Sequence, residues 1–115
     1  MEVKYVMVTH WGKHWDALEN QETYYTKKMI NFEVNKNNLV ENAPTLFIKR
    51  KDLGGTKAGD PERAWVGSVH GFRGGPSKII FKVKIDKEVP LSQVPKEYLW
   101  LESGWYLKDW YLVEK

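Results

Sequence analysis

Three groupings of side chains in this sequence have types and spacings that could carry chemistry. His10 and His14 stand four residues apart, the separation that puts two imidazoles on one helical face and suits a zinc ion. Trp11, Gly12 and Lys13 lie between them, so no glutamate follows the first histidine, and the chain has no cysteine to complete a site. A capping or surface role therefore fits these histidines better than a metal, and no cofactor is expected. Ser68 and His70 are two residues apart and would share a face of a strand, as a nucleophile and its base must. No G-x-S-x-G elbow surrounds Ser68 to project it from a sharp turn. Asp52, Asp60 and Glu62 sit in or beside a glycine-rich stretch, where turn formation accounts for them. The segment GFRGGPS has the glycines of a phosphate-cradling loop but lacks its Lys-Ser/Thr ending and lies between strands. The expectation is a binding domain without catalytic residues.

The aromatic content points to what is bound. Six Trp and six Tyr in 115 residues exceed what a core of this size needs, because a buried indole N–H requires a partner. Charge is also unevenly placed. Lys49 to Lys87 hold ten Lys or Arg against four Asp or Glu, while the remaining residues hold eight against eleven. A basic middle with surplus rings has the ingredients of nucleic-acid recognition: lysines hold phosphates, and rings stack on bases at roughly 1–3 kcal/mol each. Trp15 is better assigned to the core. Tyr24, Tyr25, Trp65, Phe72 and Trp105 are the candidate base-stacking rings. Lys78, Lys82 and Lys84, with the Lys49–Arg50–Lys51 cluster, are the candidate phosphate contacts, and Arg73 is a candidate to enter a groove or fill the gap left by a displaced base.

The elements that must position these residues are mostly strands. Lys4 to Thr9 is apolar on both faces, as in a central buried strand. Thr9 can then cap a helix reaching about Asn20, with Trp11, Trp15 and Leu18 on one side. Glu22 to Val34 fits no single pattern, and Asn35 to Asn38 reads as a turn. Thr45 to Arg50 is a strand, Asp52 to Glu62 a polar loop, and Ala64 to Phe72 a strand in which Gly67 marks a bulge or a close backbone approach. Gly74, Gly75 and Pro76 form a turn. Ile79, Phe81, Val83 and Ile85 alternate with lysines, giving a half-buried strand with a basic outer face. The tail from Pro90 onward would supply a further strand or short helix.

Length allows one core, so residues 1–115 are read as a single α+β domain, a small curved sheet or barrel of about five to six strands with one or two flanking helices. Its hydrophobic fraction of 42% is too high for a disordered tail. No apolar run approaches the roughly 20 residues of a membrane span, and the start MEVKYVMVTHW lacks the features of a signal peptide. With no cysteine, a cytoplasmic protein is expected.

The order of segments resembles the YTH and EVE domains of the PUA-like superfamily, which read modified nucleobases. KYVMVT followed by a helix carrying Trp15 is similar to the first strand and helix of EVE domains. TLFIKR, a loop and AWVGSVHGF are similar to the paired strands of both families. FKVKIDKEVPLSQVPKEYL is the closest piece, resembling a YTH strand that runs into a Val-Pro-x-Ser-Gln turn, here Val89 to Gln93. The likeness spans about residues 3 to 101.

This resemblance implies a PUA-like barrel that accepts one flipped-out, modified base in an aromatic cage. A YTH cage tryptophan after the first helix corresponds to Tyr25, with Tyr24 beside it. A second corresponds to Ser77, so that wall must come from Phe72, Trp65 or Trp105. The polar group after the first strand corresponds to Thr9 or His10, either of which could hydrogen-bond a base edge. EVE-like and YTH-like domains also form the specificity module of McrBC-type modification-dependent restriction systems, joined to a GTP-hydrolysing motor and a nuclease. The expected function is such a DNA-reading module. The alternatives are a reader of modified RNA, a protein-interaction adaptor whose rings form a dry patch, and an enzyme using His70 with Ser68 or a loop carboxylate.

Overall fold

A computed structural model of the chain describes residues 2–10, 22–26, 40–55, 57–74, 78–101 and 109–112. Six strands form one sheet: β1 (Tyr5–Thr9), β2 (Glu22–Thr26), β3 (Ala43–Asp52), β4 (Ala58–Gly74), β5 (Lys78–Val89) and β6 (Asp109–Leu112), in the spatial order β2-β5-β4-β3-β1-β6. The β1–β3 pair is parallel and every other pair is antiparallel. All five residues of β1 are buried. Its uninterrupted apolar run follows from its place, with a neighbouring strand on each edge and covered faces on both sides.

The domain is therefore mainly β. Helix among the described residues amounts to a 3₁₀ turn at Leu91–Gln93 and a single turn, α1 (Lys96–Leu99). The sheet is open among the described residues: β2 and β6 are its edges, and no ladder joins them. No described helix is long and apolar enough to cross a membrane.

The strands expected within Lys4–Thr9, Thr45–Arg50, Ala64–Phe72 and Ile79–Ile85 are present. The polar loop expected over Asp52–Glu62 is shorter, because β3 continues to Asp52 and β4 already begins at Ala58. Asp52 closes that turn by accepting the Gly54 N–H at 2.8 Å, and Gly54 and Gly55 take the positive φ angles that the reversal requires. The helix and turn expected at Thr9–Asn20 and Asn35–Asn38 lie outside the described residues, as do Gly75 and Pro76; Thr9 itself ends β1.

Alternation along the strands builds two cores, one per face. Tyr5, Met7, Ala43, Phe47, Trp65, Val69, Phe81 and Val83 cluster on one face, with Phe72 and Ile85 packed against them. Val6, Val8, Leu46, Ile48, Ala64 and Val89 cluster on the other. There Val94, Leu91, Tyr98, Leu99 and Leu101 from the chain after β5 complete the packing. The first, with five aromatic rings, is the ring face and the second the opposite face.

Candidate nucleic-acid interface

Strand register decides which candidate residues can act together. On β4 and β5, His70 stands opposite Lys82 and Ser68 opposite Lys84, so these four share the opposite face. Lys84 is exposed, while Lys82, Ser68 and His70 are half-buried. Their partners in alternation, Phe81 and Val83, are fully buried on the ring face. The expected basic outer side of β5 is thus present, next to a histidine and a serine. The same register leaves Ser68 and His70 neighbours on one strand face, each facing a lysine across the ladder rather than a carboxylate.

β2 extends this pattern at the sheet edge. Tyr25 pairs with Ile79 and Thr23 with Phe81, whereas Tyr24 pairs with Ile80 and Glu22 with Lys82. Tyr25 thus stands in the register row of Phe81, and Tyr24 in the row of Lys82. The two tyrosines, adjacent in β2, therefore stand in different rows of the sheet. Arg73 pairs with Ile80 and Lys78 with Thr26, so both stand in the register row of Lys82.

Three expected contacts are corrected. Trp65, expected as a cage ring, is a core residue only 1% exposed, because its register opposite Phe47 carries it into the middle of the ring face. The Arg63 guanidinium lies 4.6 Å from the centre of its ring and donates to both Glu88 carboxylate oxygens. Lys49, expected to hold phosphate, is 5% exposed. It follows Phe47 by two on the ring face, and its Nζ donates to the carbonyls of Arg50 at 2.7 Å and His10 at 3.1 Å, with Glu62 at 3.4 Å. Arg50, also expected to hold phosphate, donates to the carbonyls of Gly59, Leu101 and Ala58, at 2.8, 3.0 and 3.2 Å. Both cations tie main-chain segments together at the sheet end where β1 and β3 finish. Lys51, the third of that cluster, is exposed.

No family model, curated protein or solved structure matches this chain.

Thr9 and His10, the expected base-edge donors, are both buried. The His10 Nε2 lies 2.9 Å from the Gly55 carbonyl, which is an acceptor, so this nitrogen carries the proton. His10 joins the polar cluster of Lys49 and Arg50 at the sheet end and lies at a distance along the strands from Phe72. Phe72 is half-buried on the ring face, at the β4 end nearest β2. Trp105 lies outside the described residues, as does Ser77.

Two features escaped sequence reasoning. Trp100 is 58% exposed, with the Arg50 guanidinium 5.3 Å from its ring centre. Glu41, just before β3, accepts the main-chain N–H groups of Gly71 at 2.8 Å and Phe72 at 3.1 Å, one on each carboxylate oxygen. Gly71 has φ +67° within a register shift between His70 and Arg73. A glycine inside a strand pattern is the sequence signal for such a bulge. The carboxylate that fills it comes from 30 residues away and leaves no local signal.

Proposed function

We propose that this domain is a non-catalytic reader of nucleic acid that accommodates a flipped-out modified base, with DNA as the favoured substrate. The observation that carries the reading is the pair of cross-strand couples His70–Lys82 and Ser68–Lys84, a basic polar strip on the face opposite a cluster rich in aromatic rings. Such a strip suits phosphate oxygens, whose neutralisation by lysine releases counterions. Tyr25 and Phe72 are the rings this reading assigns to the base; it assigns Tyr24, Arg73 and Lys78, which share the register row of Lys82, to the backbone with the strip. The resemblance to YTH and EVE domains supports the same reading. On it the sheet closes as a PUA-like barrel and the chain serves as the specificity module of a modification-dependent restriction system, beside a GTPase motor and nuclease.

The energetics set what the cage must do. Extruding a base costs a few kcal/mol, which stacking on two rings at roughly 1–3 kcal/mol each offsets. Burying one added methyl contributes about 0.8 kcal/mol, a factor of roughly four in affinity. Strong discrimination must then also come from leaving the unmodified base's polar atoms under-satisfied.

The test is a titration of matched DNA and RNA oligonucleotides, with and without a methylated base, at two salt concentrations. The expected result is salt-dependent binding with a preference for one modified base. Affinity indifferent to salt and to nucleic acid would overturn the reading in favour of a protein-binding surface.

A further inference from the structure

The bulge on β4 has the construction of an anion site, and Glu41 sits in it. β3 begins at Ala43, opposite Val69, so beyond Val69 β4 has no partner strand on that side among the described residues. The ladder ends with Asn42, at φ 60°, donating its N–H to the Val69 carbonyl at 2.8 Å. Past that point the left-handed Gly71 turns two successive N–H groups, those of Gly71 and Phe72, toward one spot. Converging amides next to a left-handed residue form a nest that holds carboxylate or phosphate oxygens.

The surroundings favour an anion as well. Lys82 runs beside the bulge, its Cγ and Cδ 3.9 Å from where a Gly71 side chain would begin. His70, the residue before the bulge, faces Lys82 across the ladder. Glu41 and Gly71 are both exposed, so the carboxylate can be exchanged without opening the core.

We propose that the Gly71–Phe72 nest is a phosphate-binding site, and that the Glu41 carboxylate is its built-in competitor, occupying it until a phosphodiester takes its place. This rests on the reading of the domain as a nucleic-acid binder and adds where one phosphate sits. It also resolves a problem that register creates, since the rings and the lysines lie on opposite faces of the sheet. At the bulge the β3–β4 ladder has ended, and a phosphate on these amides lies between Phe72 of the ring face and Lys82 of the other. The nest would anchor the backbone at the step from which a base leaves the stack.

The test compares the wild-type chain with Glu41→Ala and Glu41→Gln, using two probes. Inorganic phosphate is titrated while the Gly71 and Phe72 amide resonances are followed. A plain single-stranded DNA is titrated at low and high salt. Removing the competing charge should strengthen DNA binding at low salt by roughly fivefold, the size of one like-charge repulsion at contact distance in water. It should also enlarge the phosphate-induced shift of the two amides. If Glu41 serves only as a substitute ladder acceptor, Glu41→Ala lowers the melting temperature, affinity stays level or falls, and the amides ignore phosphate; that result overturns the proposal. Glu41→Gln keeps one acceptor oxygen and preserves the comparison where the alanine variant does not fold. Amides that respond to phosphate in a chain that binds no oligonucleotide leave the nest standing and remove the nucleic-acid reading. DNA binding that is salt-dependent but indifferent to Glu41 does the reverse.

Discussion

Gly67 of β4 lies against the main-chain carbonyl of Lys84 on β5, so closely that a methyl group on its Cα would overlap that oxygen. The ladder shifts register at this point, between Val66 and Gly67, and the buried glycine lets the two backbones close over the shift. Backbone cannot swing aside as a flexible side chain can. Gly67→Ala should therefore destabilise the fold by about 2 kcal/mol or more, at the upper end of ordinary overpacking costs. Urea denaturation would measure it. Because Ser68 and Lys84 belong to the same segment, the variant should also weaken nucleic-acid binding.

Lys49 tests whether a buried cation is structural. Its ammonium supplies hydrogen bonds to the carbonyls of His10 and Arg50 inside the protein. Lys49→Met keeps much of the stem and removes the donors, leaving those carbonyls short of a partner, a loss of about 1–3 kcal/mol. The salt dependence of DNA binding should not change in this variant. In Lys82→Met and Lys84→Met each lost phosphate contact should flatten the log–log salt slope by about 0.9. Equal slopes in all three variants would remove the β5 strip from the interface.

These contrasts show how far the sequence could be read. Strand positions and the inward side of β5 follow from alternation of Phe81, Val83 and Ile85 with lysines, a local signal. The Gly67 approach was legible for the same reason, since a glycine interrupting a strand is local too. Lys49 and Trp65 were misplaced because their surroundings are set by partners distant in sequence, His10 for one and Phe47 for the other. A run of three cations reads as surface until the chain's ends are folded against it. Neighbouring tyrosines read as a pair, although the register of β2 puts Tyr24 opposite Ile80 and Tyr25 opposite Ile79, in different rows of the sheet. Which residues reach a bulge from a distant turn, as Glu41 does, is a tertiary fact with no pattern in the chain.

Tyr5 gives a pH-dependent prediction. Burial holds its phenol above the ordinary value of 10.0, partly opposed by the Val40 N–H, which donates to its oxygen at 3.1 Å. Between that value and the raised folded one, the unfolded chain loses the proton while the folded chain keeps it. The folded state then binds more protons, so stability falls as pH rises through this window. The contribution is fully present below pH 10 and lost above the folded value. Tyr5→Phe should be less stable than wild type near neutral pH by about 1 kcal/mol, through loss of the bond to Val40. Its unfolding free energy should decline less steeply in alkaline buffer. Parallel alkaline profiles for the two proteins would contradict this assignment.

The two adjacent tyrosines of β2 separate the roles that the proposed function gives to the two faces. Tyr25 stands opposite Ile79, in the register row of the Thr23–Phe81 pair; Tyr24 stands opposite Ile80, in the row of the Glu22–Lys82 pair. If the base is held on the ring face and the backbone on the lysine face, the two alanine variants should fail differently. Tyr25→Ala should lose about 1–3 kcal/mol toward an oligonucleotide carrying the modified base, with little effect on the plain one. Tyr24→Ala should weaken both alike, keeping their ratio. Competition between modified and plain oligonucleotides for each variant measures that ratio directly. A preference abolished by Tyr24→Ala and untouched by Tyr25→Ala would put the base on the lysine face and remove Tyr25 from the cage.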